Sequence, residues 1–255
     1  MSERPFFCES RPHIVVRGEA HDTGAGPVGV FIHGLRSDAR GLKATALARH
    51  AAARGRSWAR FDLAGHGRSD GAFCEQTVSG WLADVLAVIG AYAPRPVVLV
   101  GSSLGGWLSV LAARARPERI AGLVLIAPAL DFVQRAYETL DAGAQGAWQS
   151  ADGLVVADAY GGDPYRLTRG LLEDARGHGV LPRPPVLACP LFIVHGARDE
   201  HVPLAVSEAF LARVTAPRAE LTVVAEGDHR LADGIPAIVA AVDRAWDAAF
   251  PEGVS

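Results

Sequence analysis

Short apolar runs alternate with stretches of helical periodicity along most of the chain. Runs typical of strands buried on both faces of a sheet occupy residues 28–32, 57–62, 96–101, 120–126, 191–195 and 220–224. Helical patterns occupy residues 41–54, 78–92, 104–115 and 204–214, and a last helix runs to residue 250. This alternation predicts an α/β fold, with a mostly parallel sheet covered by helices on both faces.

One segment, residues 131–185, interrupts the alternation. It contains helical fragments, the pair Gly161-Gly162 and a proline-rich end at 182–185, and it has no strand of the buried kind. Such a segment is too long for a plain connection between two strands. We therefore expect a small helical cap, inserted into an α/β core that comprises residues 1–130 and 186–255. A surface excursion without a role in substrate binding is the alternative.

Composition narrows the class of protein and its partners. A chain of 255 residues, 49% hydrophobic and 21% charged, fits one large domain. The net charge of −3 gives no reason to expect a nucleic-acid partner. The three cysteines (Cys8, Cys74, Cys189) lie far apart and form no C-x-x-C pair, which disfavours a disulfide framework or a zinc site.

The N-terminus and the lengths of the apolar runs lead to an expectation about the cellular compartment. The N-terminus lacks the charged start and apolar stretch of a secretory signal peptide. No apolar run approaches the roughly 20 residues that a membrane span needs. We expect a cytoplasmic protein without a membrane span, whose oligomeric state the sequence leaves open.

The clearest chemical signal is a candidate nucleophile. Gly101-Ser-Ser-Leu-Gly105 matches the pattern G-x-S-x-G, directly after an apolar strand and before a helix. In that context the serine occupies a sharp strand-to-helix turn, and the glycines allow the close backbone packing that the turn requires. The register selects Ser103 as the nucleophile rather than Ser102.

A serine hydroxyl needs a base within hydrogen-bonding reach, and nine histidines compete for this role. In this arrangement the chain order is serine, acid, histidine, with the histidine after the last strand. His229 fits, because Gly227-Asp-His-Arg230 follows the strand at 220–224. His178 and His201 also follow the serine, but neither lies after the final strand.

The base in turn needs a carboxylate that fixes its tautomer and stabilises its cation. Asp199 lies in the turn just past the apolar strand at 191–195 and is our first choice. Glu200 would point elsewhere if Asp199 points inward. Asp228 is adjacent to His229 in sequence and is poorly placed to reach the far ring nitrogen.

An acyl-transfer site also needs two donors for the developing oxyanion. The backbone N–H of Leu104, the residue after the nucleophile, is one candidate. The second is the N–H of Leu35, in the loop that follows the strand at 28–32, where His33-Gly34 is expected to support the loop. Trp107 and Tyr160 are candidates for the acyl-binding pocket, although aromatic side chains also fill cores.

No cofactor or metal is expected. The glycine-rich stretch at 62–70 lacks the lysine and the glycine spacing of a phosphate-binding loop. Asp199, Glu200 and His201 resemble a ligand set, but consecutive residues of one turn rarely converge on one ion.

The chain resembles the α/β-hydrolase superfamily over nearly its whole length. It is similar to the small esterase branch that includes the mitochondrial acyl-protein thioesterase and acyl-glucuronide hydrolase, with its bacterial relatives. The matching motifs are Ser37-Asp38, Gly41-x-Lys43-Ala44, Arg60-Phe-Asp62, Gly65-His-Gly67-x-Ser69-Asp70-Gly71, Thr77, Trp81, Asp84, Gly101-Ser-Ser-Leu-Gly-Gly-Trp107 and Asp228-His-Arg230. In the cap, only Thr168-Arg-Gly-Leu-Leu-Glu-Asp174 with His178 looks like the pattern of the branch.

The resemblance implies a serine esterase or thioesterase that acts on a small-molecule acyl ester or thioester. A carboxylesterase is the first hypothesis and an acyl thioesterase the second, because one triad serves both leaving groups. An aminopeptidase of the same fold would need acidic residues in the cap, for which Glu138, Asp141, Asp152 and Asp158 are candidates. A binding member of the fold is disfavoured by the intact triad, and a dehalogenase by a serine where that enzyme needs an aspartate.

Overall fold

The computed structural model describes residues 3–158 and 161–250. Its strands are β1 (Arg4–Arg11), β2 (Ile14–His21), β3 (Val28–Ile32), β4 (Ser57–Asp62), β5 (Val97–Ser102), β6 (Ile120–Ile126), β7 (Leu154–Val156), β8 (Tyr165–Leu167), β9 (Leu191–Gly196) and β10 (Ala219–Val224). Eight of them form one sheet in the order β1-β2-β4-β3-β5-β6-β9-β10. Strand β2 is antiparallel to both of its neighbours, and every other pairing in this sheet is parallel.

The helices are α1 (Leu42–Ala53), α2 (Val78–Ala91), α3 (Leu104–Ala115), α4 (Phe132–Thr139), α5 (Ala142–Gln149), α6 (Arg169–Ala175), α7 (Leu204–Leu211) and α8 (Ile235–Ala249). Short 3₁₀ turns occupy Phe73–Glu75 and Arg176–His178. The six strands and five helices that the apolar pattern predicts are all present, and most of their ends lie within one or two residues of the predicted positions.

The core lies on both faces of the sheet, as the continuous apolar strands require. Successive side chains of a strand point to opposite faces. In β5, Val97 and Leu99 therefore pack in the cluster that includes α2, α3 and α7, and Val98 and Val100 pack in the cluster that includes α1 and α8.

The hairpin of β1 and β2 was missed by the sequence prediction. Strand β1 lies at the edge of the sheet, none of its residues is fully buried, and the side chain of Phe7 is 80% exposed. An edge strand of this kind needs no apolar run, so its charged and polar residues concealed it.

Residues 131–185, which we call the cap segment, connect β6 to β9 and contain α4, α5, β7, β8 and α6. Besides these helices, the segment holds a two-stranded antiparallel sheet of β7 and β8 that was not predicted. With three residues in each strand and little burial, these strands carry no pattern that could be recognised in the sequence.

Parallel strands bring their carboxyl ends to one edge of the sheet, where ligands bind in open α/β folds. The loops after β3, β5, β9 and β10 all begin at this edge and carry the residues that the sequence singled out. Within residues 3–158 and 161–250, no helix is long and apolar enough to cross a membrane.

Candidate active site

Ser103 lies in the turn between β5 and α3, with φ 54° and ψ −115°. A positive φ is unusual for a residue with a side chain and is tolerated where the surroundings hold it. The two flanking glycines make this turn possible. A Cβ at residue 101 would lie 2.1 Å from the carbonyl oxygen of Gly105, and one at residue 105 would lie 2.2 Å from that of Ile32.

The structure brings Ser103, His229 and Asp199 together in one chain of hydrogen bonds. The Oγ of Ser103 lies 3.1 Å from Nε2 of His229. The Nδ1 of His229 lies 2.7 Å from Oδ2 of Asp199. In this arrangement Nδ1–H donates to the carboxylate, which leaves Nε2 to accept the serine proton.

Asp199 is held ionised although its side chain is fully buried. Burial alone would raise the pKa of this carboxyl, but hydrogen bonds from His195, His229 and the Val202 N–H outweigh it. The pKa of Asp199 therefore lies well below its usual range. Its Oδ1 accepts the N–H groups of His201 and Val202, at 2.9 and 2.8 Å.

His195, at the end of β9, is a site residue that the sequence analysis missed. Its side chain is fully buried, and its Nε2 lies 3.2 Å from Oδ2 of Asp199 and 2.9 Å from the carbonyl oxygen of Val202. Its Nδ1 lies 2.7 Å from Oγ of Ser207. Two imidazoles therefore face the same carboxylate oxygen, one from inside the core and one from the site.

The rival acids and bases lie elsewhere. Oδ1 of Asp228 accepts the N–H of Leu231. Glu200 is exposed and lines the cavity described below. The Nε2 of His178 contacts Oγ of Ser79 at 2.8 Å, where the cap segment meets α2. The centre of the His201 ring lies 5.6 Å from the centre of the His229 ring.

The two predicted oxyanion donors, the N–H groups of Leu35 and Leu104, lie beside Ser103 on the wall of one cavity. Within residues 3–158 and 161–250 neither N–H has a hydrogen-bond partner. Leu104 is the first residue of α3, where an N–H has no acceptor within the helix. Gly34 allows the loop to come close, since a Cβ there would lie 3.1 Å from Cβ of Ser103.

Two buried histidines hold the loop that carries Leu35. The Nδ1 of His33 lies 2.7 Å from the Gly34 carbonyl oxygen, and its Nε2 accepts the Leu63 N–H at 2.9 Å. Since this carbonyl and the Leu35 N–H belong to one peptide group, His33 fixes the direction in which that N–H points.

His66 acts on the other side of Leu35 and was not predicted as a site residue. Its Nε2 accepts the Arg36 N–H at 3.2 Å, and its Nδ1 lies 3.1 Å from the Ala64 carbonyl oxygen. Burial lowers the pKa of His66 to about 3 and also lowers the pKa of His33. Both rings are therefore neutral, and each donates from Nδ1 and accepts at Nε2.

A cavity of about 650 Å³ opens beside Ser103 and His229, between the sheet edge and the cap segment. Its walls are largely apolar, and charged groups lie among them. The apolar lining comprises Leu35, Leu104, Ala129, Phe132, Ala136, Leu140, Trp148, Leu154, Val156, Tyr165, Leu167, Val202 and Pro203. The charged groups of the lining are Arg36, Arg135, Glu138, Asp158 and Glu200.

Trp107, a predicted pocket residue, lies behind this wall and does not line the cavity. It is fully buried, its indole N–H donates to the His178 carbonyl oxygen at 3.1 Å, and its ring packs 5.8 Å from that of Phe132. Trp107, on α3, therefore contacts the cap segment, and Phe132 lines the cavity where we expected Trp107. Tyr160, the other predicted pocket residue, lies outside the described residues.

Comparison with known proteins identifies similar chains. The profile of the family described as serine aminopeptidase, S33 matches residues 27–233. The mitochondrial palmitoyl-protein thioesterase ABHD10 of Mus musculus is 35% identical over 209 residues, which are 82% of this chain and 70% of the relative.

Solved structures agree with the sequence relatives. The mouse alpha/beta hydrolase domain-containing protein 10 is 31% identical, with a TM-score of 0.86 over 97% of this chain and 99% of its own. A putative hydrolase from Agrobacterium vitis S4 is 30% identical, with a TM-score of 0.88 over 95% and 98% of the two chains. The predicted fold class is confirmed.

The predicted cytoplasmic location is wrong. The mammalian relatives from mouse, rat and cattle are named as mitochondrial proteins. The expectation was based on a missing secretory signal and on a missing apolar span, and neither observation distinguishes between compartments that hold water-soluble enzymes.

Proposed function

Because the chain belongs to the serine aminopeptidase S33 family of α/β-hydrolases, and is an ester-bond hydrolase of its esterase and thioesterase branch, we propose that Ser103 cleaves acyl esters through a covalent acyl-enzyme. The observation that carries the proposal is the line of contacts from Ser103 through His229 to Asp199, at 3.1 and 2.7 Å. This line opens into the cavity under the cap segment.

The first step acylates the enzyme. The Ser103 oxygen forms a bond to the acyl carbon while Nε2 of His229 takes the hydroxyl proton. When the tetrahedral intermediate collapses, the bond from the acyl carbon to the leaving oxygen breaks, and the imidazolium gives its proton to that oxygen. The carboxylate of Asp199 stabilises the imidazolium and holds the ring in orientation.

The second step releases the acid. Water gives one proton to Nε2 of His229, and its oxygen bonds to the acyl carbon. The proton then passes to Oγ of Ser103 as the acyl–serine bond breaks. In both steps the N–H groups of Leu35 and Leu104 receive the oxyanion, because they are unpaired and fixed before the reaction begins.

The acyl chain lies in the cavity, with the cap segment as its cover. Apolar walls favour an acyl group, since burial stabilises by about 0.8 kcal/mol per CH₂ group. The size of the cavity, about 650 Å³, is suited to a small molecule rather than to a folded partner. A carboxylic ester is the first candidate substrate.

Acyl thioesters are the second candidate, favoured by the palmitoyl-protein thioesterase relatives at 32–35% identity. An aminopeptidase activity has less support. It needs unpaired carboxylates that hold the substrate amine, and Oδ2 of Asp158 already lies 3.7 Å from Nε of Arg36. Asp141 caps α5, where it accepts the Ala144 N–H.

An organophosphonate probe tests the proposal together with hydrolysis of p-nitrophenyl esters and matched thioesters. We expect the probe to label the wild type, and Ser103→Ala to abolish labelling and to lower kcat by several orders of magnitude. Ser102→Ala is the matched control and keeps both activities. Undiminished labelling of Ser103→Ala, or a folded wild type that does not react, refutes the proposal.

A further inference from the structure

The cationic residues of this chain are almost all arginines. The sequence has 24 arginines and a single lysine, Lys43. A surface position that needs only positive charge accepts either residue, but a compact ammonium donates differently from a planar guanidinium. The place where the chain keeps its one lysine therefore calls for a physical reason.

Lys43 is the second residue of α1, and its side chain reaches the loop that carries His229. Its Nζ donates to the carbonyl oxygen of Arg230 at 2.7 Å. The ammonium is partly withdrawn from solvent, and burial lowers its pKa to about 8. Among the neighbouring charges, those of Asp228 and Asp199 raise its pKa, and that of Arg230 lowers it further.

The contact lies one residue after His229, in the loop that carries this histidine. Before His229, the loop is fixed by the Arg198 N–H, which donates to the Gly227 carbonyl oxygen at 2.9 Å. Gly227 also packs so closely on Gly196 that a Cβ at residue 196 would lie 2.2 Å from its oxygen. After His229, the Leu231 N–H donates to the carbonyl oxygen and to Oδ1 of Asp228, at 3.3 and 2.9 Å. The Lys43 bond adds a tie from Arg230 to a different element, α1.

We propose that Lys43 is a positioning residue, which fixes the backbone after His229 and so aims its Nε2 at Ser103. This inference rests on the proposed function of His229 as the base. The imidazole must stay within hydrogen-bonding distance of both Ser103 and Asp199, so a small displacement of the loop misaligns two contacts at once.

The kinetic test compares Lys43→Met, which keeps the aliphatic length and removes the donor, with Lys43→Arg and Arg40→Met. Arg40 is an exposed cation three residues earlier, so its variant controls for the loss of charge. Active sites are counted by the phosphonate burst, which excludes misfolded enzyme from kcat. We expect Lys43→Met to lower kcat per active site by about tenfold, with KM within about twofold.

We expect Lys43→Arg to recover part of the rate and Arg40→Met to behave as the wild type. A kcat per active site in Lys43→Met within about twofold of the Arg40→Met value overturns the proposal. A lower number of active sites with an unchanged rate at each site also overturns it, since that result shows a purely structural role. A wild type without a burst contradicts the proposed function instead.

A second measurement decides the placement of Lys43 without any activity. Reductive methylation with ¹³C-formaldehyde labels the N-terminal amine and one lysine, Lys43. The resonance that is missing from the spectrum of Lys43→Arg is the one that belongs to Lys43. We expect the Lys43 resonance to titrate near pH 8, and at lower pH in Asp228→Asn. Titration near the ordinary lysine value of about 10.4 shows an exposed amine and overturns the proposal.

Discussion

The Nε2 of His195 lies 3.2 Å from Oδ2 of Asp199, within the core of the protein. Oγ of Ser207 lies 2.7 Å from the opposite ring nitrogen, so its hydroxyl donates there and the ring proton remains on Nε2. That proton is shared between Asp199 and the Val202 carbonyl oxygen. The carboxylate oxygen that His229 contacts is thus also held by a second ring, which is fully buried.

Replacing His195 is expected to weaken this support. In His195→Phe the ring volume is kept and the donor is lost, which raises the pKa of Asp199. A hydrogen bond to a buried charge contributes about 1.5–3 kcal/mol, so the free energy of unfolding at pH 7 falls by about that amount. Urea unfolding at several pH values measures this loss.

The pH dependence of the loss has a definite sign. A carboxyl with a depressed pKa in the folded state stabilises the protein above its unfolded pKa of about 3.9, and this contribution is lost as the pH falls toward the folded value. The difference between the wild type and His195→Phe therefore narrows below about pH 4. His195→Gln, which can keep a donor, is the matched control. An equal loss at all pH values contradicts the assignment.

Gly105, in the turn around Ser103, and Gly90, in α2, predict opposite effects of the same substitution. In Gly105→Ala the new Cβ would lie 2.2 Å from a backbone oxygen of β3, so we expect a loss of several kcal/mol and of phosphonate labelling. In Gly90→Ala, within α2, a Cβ meets no atom within 4 Å, and stability rises by about 0.5–1 kcal/mol. Thermal unfolding checks both, and a tolerated Gly105→Ala contradicts the close packing.

Much of the fold could be predicted because the buried strands are continuous apolar runs. A buried strand position excludes most polar side chains, so the residue types of a buried strand reveal its burial. The edge hairpin and the β7–β8 pair are half exposed, and their residues obey no such restriction. The cap segment was recognised by a break in the apolar pattern. Its internal strands could not be predicted, because their residues are only partly buried.

The candidate site divides in a similar way. Ser103, Asp199 and His229 follow strands, so chain order located them. His66 could not be located in this way, since its role depends on β3 and β4 lying side by side, which brings the loop after β4 beside the loop after β3. His195 extends an apolar strand and was taken for a part of it. Its contact with Asp199 depends on the path of the turn after β9.

The neutral histidines around Leu35 predict an acid-sensitive fold. Burial lowers the pKa of His66 to about 3, and that of His33 is also lowered. Below about pH 6.5 the unfolded chain gains protons that these folded rings do not take up. His66 therefore costs the folded state about 1.4 kcal/mol per pH unit as the pH falls from 6 to 4, and His33 acts in the same direction.

Denaturant unfolding of the wild type and of His66→Gln between pH 7 and pH 4 checks this slope. We expect the variant to be less stable at pH 7, because a glutamine cannot reproduce both contacts of the ring. We also expect its stability to fall less steeply with pH. Parallel curves for the two proteins would show that His66 is not buried in its neutral form.

The position of Ala136 in the cavity wall predicts a change in acyl-chain preference. Ala136 lies on α4 and faces the apolar space near Ser103, so a tryptophan there fills volume that a long chain would occupy. We expect Ala136→Trp to lower kcat/KM for decanoyl and longer esters by at least about tenfold, since each methylene excluded from an apolar pocket costs about 1 kcal/mol or more. Acetyl esters, which need little of the cavity, keep their kcat/KM.

Ala142→Trp, at an exposed position of the neighbouring helix, is the control, and we expect it to leave kcat/KM for both esters unchanged. An equal loss for acetyl and decanoyl esters in Ala136→Trp would place the acyl chain elsewhere.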